Sequence, residues 1–100
     1  MNLLNAFMKN SPIAFPLGQI VMTPGVLDLT ADGDIRPLDL IRRHAQGDWG
    51  DMCQEDQDAN NYALKEGGRL FSSYNYPDGK VWIITEADHS ATTLLLPSEY

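Results

Sequence analysis

Residues 69–96, RLFSSYNYPDGKVWIITEADHSATTLLL, change the hydrophobic period of the chain from helical to two. Arg69–Tyr76, Val81–Ala87 and Thr92–Leu96 read as three strands, each rich in β-branched or aromatic residues. They are joined by Pro77-Asp78-Gly79-Lys80 and by Asp88-His89-Ser90, connections short enough for neighbouring antiparallel strands. An antiparallel meander of this kind can leave one face to solvent but has to bury the other, so the preceding residues must supply a cover.

Working back from the meander, Gln19-Ile20-Val21-Met22-Thr23 is a short apolar run that predicts a further strand. Thr23-Pro24 then starts a short helix through Leu29, since Thr can cap a helix and Pro fits its first turn. After the loop Asp32-Gly33-Asp34, Pro37 opens a second helix with Leu38, Ile41 and Ala45 on one face, His44 beside that face, and Gly47 as its stop. Asp48-Trp49-Gly50-Asp51 favours a turn. A third helix is expected from near Asp51 to Lys65, ending at Gly67-Gly68, with Met52, Ala59, Ala63 and Leu64 inward and Asp56 and Asn60 next to them. The expected architecture is one α+β domain over residues 17–100: an antiparallel sheet of about four strands, the early strand plus the meander, with two to three helices on one face. Residues 1–16 are expected to form an N-terminal arm. Asn2, Asn5, Lys9 and Asn10 interrupt its apolar character and no basic region precedes it, which is unlike a signal peptide.

A chain of 100 residues that is 43% hydrophobic suits a single core. Fourteen acids against seven bases give a net charge of −7, a sign that opposes direct nucleic-acid binding and attachment to an acidic membrane surface. Cys53 is the only cysteine, which excludes an intramolecular disulfide and a CxxC zinc knuckle and points to a reduced, cytoplasmic protein. No stretch approaches the roughly 18 apolar residues of a membrane-spanning helix.

Four constellations carry candidate chemistry. Asp48, Asp51, Glu55 and Asp58 would form one stripe on a continuous helix, with no Lys or Arg between the first and the last. Such a stripe can imitate a phosphate track and present carboxylates to a basic groove. The simpler alternative is that acids in a first helical turn only complement its positive end. Trp49 is either an anchor for a partner or a lid on the edge of the core. His44, Asp56 and Asn60 fall near the inner faces of adjacent helices, where they must satisfy one another or nearby backbone. No metal-ligand spacing accompanies them, the acids lack the pattern of a calcium loop, and Asp51, Glu55 and Asp56 surround Cys53 with a field that disfavours its thiolate, so neither a cofactor nor a nucleophile is expected. Finally, alternation places Trp82, Ile84, Glu86 and Asp88 on one strand face, with His89 in the next turn. With Arg69, Glu86 and His89 could supply the clamp, base and acid of a small ribonuclease. Against this, a chain at −7 repels RNA, and Glu86 can pair with Arg69 across the sheet.

Gly18-Gln19-Ile20-Val21, Thr23-Pro24-Gly25, Arg43-His44, Gly47-Asp48-Trp49-Gly50, Ala63-Leu64, Gly68-Arg69, Trp82-Ile83-Ile84-Thr85-Glu86-Ala87-Asp88, Thr92-Thr93 and Leu95-Leu96-Pro97 together resemble a family of short bacterial proteins labelled plasmid-related. The resemblance runs from Leu17 to Tyr100. It implies a mobile-element context, on plasmids, integrating elements or phage-like islands, and carries no catalytic residue over. This chain has His89 where the family tends to have Arg, and Arg36 where it tends to have Ser ahead of the second helix. The reading that follows is a non-enzymatic acidic binding protein of a mobile genetic element. Through Asp48, Trp49, Asp51, Glu55 and Asp58 it would block a basic surface of a host defence protein or nucleoprotein complex, in the manner of an anti-restriction or anti-CRISPR protein. The two alternatives are the ribonuclease of Glu86, Arg69 and His89, and a structural homodimer joined at a sheet edge.

Overall fold

The meander forms around a two-residue turn, because β2 (Leu70–Tyr76) and β3 (Gly79–Thr85) pair antiparallel from Tyr76↔Gly79 through Leu70↔Thr85, leaving Pro77 and Asp78 to reverse the chain. β4 (Ala91–Leu95) pairs antiparallel with β3 from Thr85↔Thr92 to Trp82↔Leu95. The computed structural model describes residues 13–100, and in it the early strand β1 (Gln19–Met22) completes the sheet in the order β1-β4-β3-β2. β1 runs parallel to β4, from Gln19↔Ala91 to Met22↔Leu94, so the antiparallel sheet has one parallel pair at its edge. A parallel neighbour needs a long crossover, which the helices and the rest of the meander supply.

Three helices separate β1 from β2: α1 (Pro24–Ala31), α2 (Pro37–Ala45) and α3 (Gln54–Glu66). The sheet face carrying Leu70, Tyr74, Val81, Ile83 and Leu94 packs with Val26 of α1 and with Ile41 and Ala45 of α2 into one core, joined by Phe15, Leu17, Ile35 and Trp49. Each large apolar side chain fully buried there contributes about 1.5–3 kcal/mol. Ile83 lies in an inner strand and is completely buried, so Ile83→Ala is expected to cost about 3 kcal/mol in a urea titration.

Two expectations shift at the joints. Phe15 and Leu17 are core residues, and the Ala14 N–H donates to the Ala45 carbonyl over 2.8 Å, so from residue 13 the expected arm already belongs to the domain. The arm's first twelve residues lie outside the described ones. The third helix begins at Gln54 rather than near Asp51, because residues 49–51 are drawn alongside β2: the Ser73 N–H donates to the Trp49 carbonyl over 3.1 Å and the Asp51 N–H to the Ser73 carbonyl over 2.6 Å. The two bonds that flank Gly50 thus close part of the outer edge of β2. Asn60 closes the next position, its side-chain amide accepting from the Phe71 N–H at 2.9 Å and donating to the Phe71 carbonyl at 2.6 Å. The Asp51 carboxylate takes the Asn75 N–H at 2.9 Å. An edge satisfied in this way offers no template to a foreign strand.

The chain's end ties back to the start of α1. In the 3₁₀ turn Pro97–Glu99, the Glu99 carboxylate accepts from the Thr23 hydroxyl at 2.5 Å, the Leu96 N–H at 2.9 Å and the Gly25 N–H at 2.9 Å. It supplies the helix cap that the Thr23 side chain does not make. The Thr23 bond, with the two backbone donors, holds this carboxyl below its usual range.

Candidate functional site

The acidic segment divides at Gly50. Asp48 does not lie on α3: its carboxylate receives Arg43 Nε at 2.7 Å and Nη2 at 3.3 Å, and also the Gly50 N–H at 3.1 Å. The Arg43 bond holds the Asp48 carboxyl below its usual range, and the same bond raises the arginine. Arg43 in turn lies 4.6 Å over the Tyr74 ring, whose hydroxyl donates to the Asp48 carbonyl at 2.6 Å. Asp51 is committed to the β2 edge. The continuous stripe expected over Asp48, Asp51, Glu55 and Asp58 is therefore broken, because its first two members are loop residues that hold the fold. Glu55, Asp56 and Asp58 stand exposed on α3, and among the described residues none of them forms an ion pair. Asp58 accepts from Gln54 at 2.9 Å.

Trp49 is only 3% exposed. Its ring stacks 6.2 Å from Phe15 and meets His44 edge-on at 5.7 Å, while its indole N–H donates to Asn61 at 2.9 Å. It is a lid on the core and not an anchor for a partner, since its one polar atom is satisfied within the chain.

His44 is completely buried. Its Nδ1 lies 2.5 Å from the Ser72 hydroxyl and its Nε2 2.9 Å from Thr85 Oγ1. Thr85 Oγ1 is 2.7 Å from Thr92 Oγ1, and the Thr92 hydroxyl donates to the Leu17 carbonyl at 2.7 Å. That carbonyl can only accept, which fixes every proton in the chain of bonds. Thr92 spends its hydrogen on Leu17, Thr85 must donate to Thr92, His44 Nε2–H must donate to Thr85, and Nδ1 accepts from Ser72. Burial pushes the imidazole pKa down to about 3, so it stays neutral. Of its expected companions, Asn60 binds the Phe71 backbone and Asp56 is exposed, so the three do not converge.

Arg69 and Glu86 do meet, with Arg69 Nε 3.6 Å from the carboxylate, and Arg69 also donates to the Tyr100 hydroxyl at 3.3 Å. His89 turns elsewhere. Its backbone sits at φ 59° and its ring lies 5.8 Å from Phe15, the ring that also meets His44 and Trp49 on the helix-covered side. The catalytic trio is thus incomplete: its acid and its carboxylate belong to opposite faces of the sheet. Among the described residues no group of three or more His, Cys, Asp or Glu side chains could hold a metal ion.

The sheet face opposite the core carries what sequence reasoning left unassembled. Phe71 meets Trp82 edge-on at 4.9 Å, and Trp82 meets Tyr100 at 5.9 Å. Ile84 sits between Phe71 and Thr93 on the neighbouring strands, and Leu95 and Ser73 flank Trp82. Beside this aromatic row a groove of about 300 Å³ runs between α3 and β2, lined by Met52, Asp56, Ala59, Asn60, Arg69 and Phe71. The available signal was the alternation of β2 and β3, which sets Phe71, Trp82 and Ile84 at outward positions. Comparison with protein-family models, curated proteins and solved structures finds no match to the chain. No helix of the described residues is long and apolar enough to cross a membrane.

Proposed function

We propose that the protein is a non-enzymatic binding protein of a mobile genetic element that occupies a basic surface of a host protein or nucleoprotein complex. Its contact surface is the outward face of β2 and β3 together with the exposed side of α3. The observation that carries this reading is the coincidence of an outward aromatic row with unpaired carboxylates beside it. Phe71, Trp82 and Tyr100, with Arg69, are the residue types that concentrate binding energy at the centre of an interface. Asp56 lines the adjoining groove, and Glu55 and Asp58, three residues apart on another exposed side of α3, form a charged rim that steers a cationic partner. A nucleic-acid-handling defence complex has the basic groove this rim would fit, and the resemblance to plasmid-related proteins supplies the context. Asp48 and Trp49 take no part, because both are engaged within the domain.

The test is capture of a basic host protein on the immobilised chain. Retention is expected to fall steeply as salt rises, because rim charges screen over about 8 Å at physiological ionic strength. Glu55→Lys with Asp58→Lys, or Tyr100→Ala alone, should lower retention about tenfold or more, whereas Asp48→Asn should not change it. Capture indifferent both to salt and to these substitutions would overturn the reading.

A further inference from the structure

The two edges of the sheet are treated in opposite ways. β2 has its outward backbone groups bonded by Trp49, Asp51 and Asn60, whereas among the described residues the outward edge of β1 faces no strand. Gln19 donates its N–H to the carbonyl of Ser90, just before β4, and Thr23 to that of Leu94 in β4, and alternation therefore turns the N–H and carbonyl of Ile20 and Met22 away from the sheet. The sequence around β1 is also unlike the rest of the chain. No Asp, Glu, Lys, Arg or His occurs from Asn10 to Leu27, although the protein carries a net −7. Three of the six exposed large hydrophobic residues among the described ones, Ile13, Val21 and Leu27, lie in this stretch. Exposed edges are commonly guarded by charge or by proline, and β1, Gln-Ile-Val-Met, has neither.

We infer that β1 is a self-association edge on which a second copy of the same chain docks antiparallel about a two-fold axis through Val21. A chain with a large net charge of one sign approaches its own copy most readily where that charge is sparse, and β1 carries no ionisable side chain of its own, the Glu99 carboxylate being held at its end by Thr23 and Gly25. The two-fold sets Ile20 of each copy opposite Met22 of the other, so both residues exchange N–H···O bonds across the axis. Val21 then faces Val21 of the other copy on the outward sheet face, where its side chain is 40% exposed. The result is one continuous sheet through both copies. The β2 edges stay closed at its two ends, so the assembly stops at a dimer. A four-residue edge is smaller than the roughly 800 Å² per partner of a standard interface, and the dimer is accordingly reversible.

Sedimentation of the full chain is expected to show monomer and dimer in exchange at micromolar concentration. Raising salt from about 0.05 to about 0.5 M should favour the dimer, because it screens the net repulsion between copies. That is the reverse of the salt response expected for the basic partner, so the two surfaces can fail separately. Val21→Lys should weaken dimerisation at least about tenfold by opposing two like charges on the axis. In a Cys53→Ser background, Val21→Cys should crosslink under mild oxidation, since a facing non-hydrogen-bonded pair brings its Cα atoms to about 4.5 Å. Gln19→Cys lies about 13 Å from its symmetry mate in this register and should not crosslink. A chain that stays monomeric at about 200 μM in high salt, or Val21→Cys that crosslinks no faster than Gln19→Cys, would mean that the edge serves an extended peptide, another part of the chain or nothing, and would overturn the inference.

Discussion

Replacing His44 by alanine is expected to cost about 3–5 kcal/mol of folding stability, a large part of what a domain this size possesses. Two losses combine. A fully buried ring is deleted between Phe15 and Trp49, each of which touches it edge-on, and the gap cannot close without moving α2 or the sheet. Ser72 and Thr85 also lose their imidazole partner, and giving up these buried hydrogen bonds costs about 1–3 kcal/mol more. Thr85 retains Thr92. Urea unfolding followed by circular dichroism measures the total. A cost under about 1 kcal/mol would show that the ring is not enclosed as described.

The same residue gives stability a particular dependence on pH. In the unfolded chain a histidine titrates near about 6.5, whereas in the fold His44 titrates at about 3. Its folded value is depressed, so its contribution is complete above the unfolded value and declines as pH falls, because the unfolded state takes up a proton that the folded state refuses. Between pH 7 and pH 4 the loss from this group alone is about 3 kcal/mol. Protonation would also break the order of the bonds, since Nδ1 accepts from Ser72 and would become a second donor facing a donor. Asp48 adds a smaller loss of the same sign, its carboxyl being held low by Arg43 on a half-exposed surface. The stability difference between the parent chain and His44→Ala should therefore shrink as pH is lowered from 7 to 4. A difference that does not change with pH would place the folded imidazole pKa near its ordinary value.

What could be read from the sequence was periodicity and punctuation. The three meander strands, the β1 strand and the helix starts at Pro24 and Pro37 all fall within a few residues of their expected places, because each depends on local chemistry. Two kinds of information were not local. Gly50 and Asp51 resemble any turn followed by a helical acid, and only the presence of β2 alongside draws them out as an edge guard. Likewise, 3-4-3 spacing of acids makes a stripe only if a helix spans all of them, and it does not. The direction of β1 was also hidden, since a four-residue apolar run carries no mark of parallel or antiparallel pairing. His44 was legible in kind, as a polar residue beside an apolar face that needed partners. Its partners Ser72, Thr85 and Thr92 lie 28 to 48 residues away and could not be named from spacing.

Gly50→Ala is the second substitution expected to bring the fold close to collapse, and its cost can be resolved into parts. Gly50 holds φ at +80°, a conformation that penalises any side chain, and an added Cβ would stand 2.2 Å from the Ser73 carbonyl oxygen and 2.6 Å from the Tyr74 ring. The first obstacle is backbone in an edge strand paired along its length with β3, so it cannot swing away as a flexible side chain would. Relief requires the loop to lift, and lifting it removes the Trp49–Ser73 and Asp51–Ser73 bonds, draws Asp51 off the Asn75 N–H and pulls Trp49 from Phe15 and His44. At about 1 kcal/mol for each bond and about 1–2 for the backbone conformation, before any loss of tryptophan burial, the total is at least about 4 kcal/mol. Gly33→Ala separates the two contributions. That glycine also holds φ at +80° but has no atom within 4 Å of an added Cβ, so only the conformational penalty of about 1–2 kcal/mol remains. If the two alanine variants unfold at the same urea concentration, the close approach of Gly50 to β2 is wrong. If the ladder holds, Gly50→Ala should also aggregate well before Gly33→Ala on warming, because lifting the loop uncovers the edge that Trp49 and Asp51 keep closed.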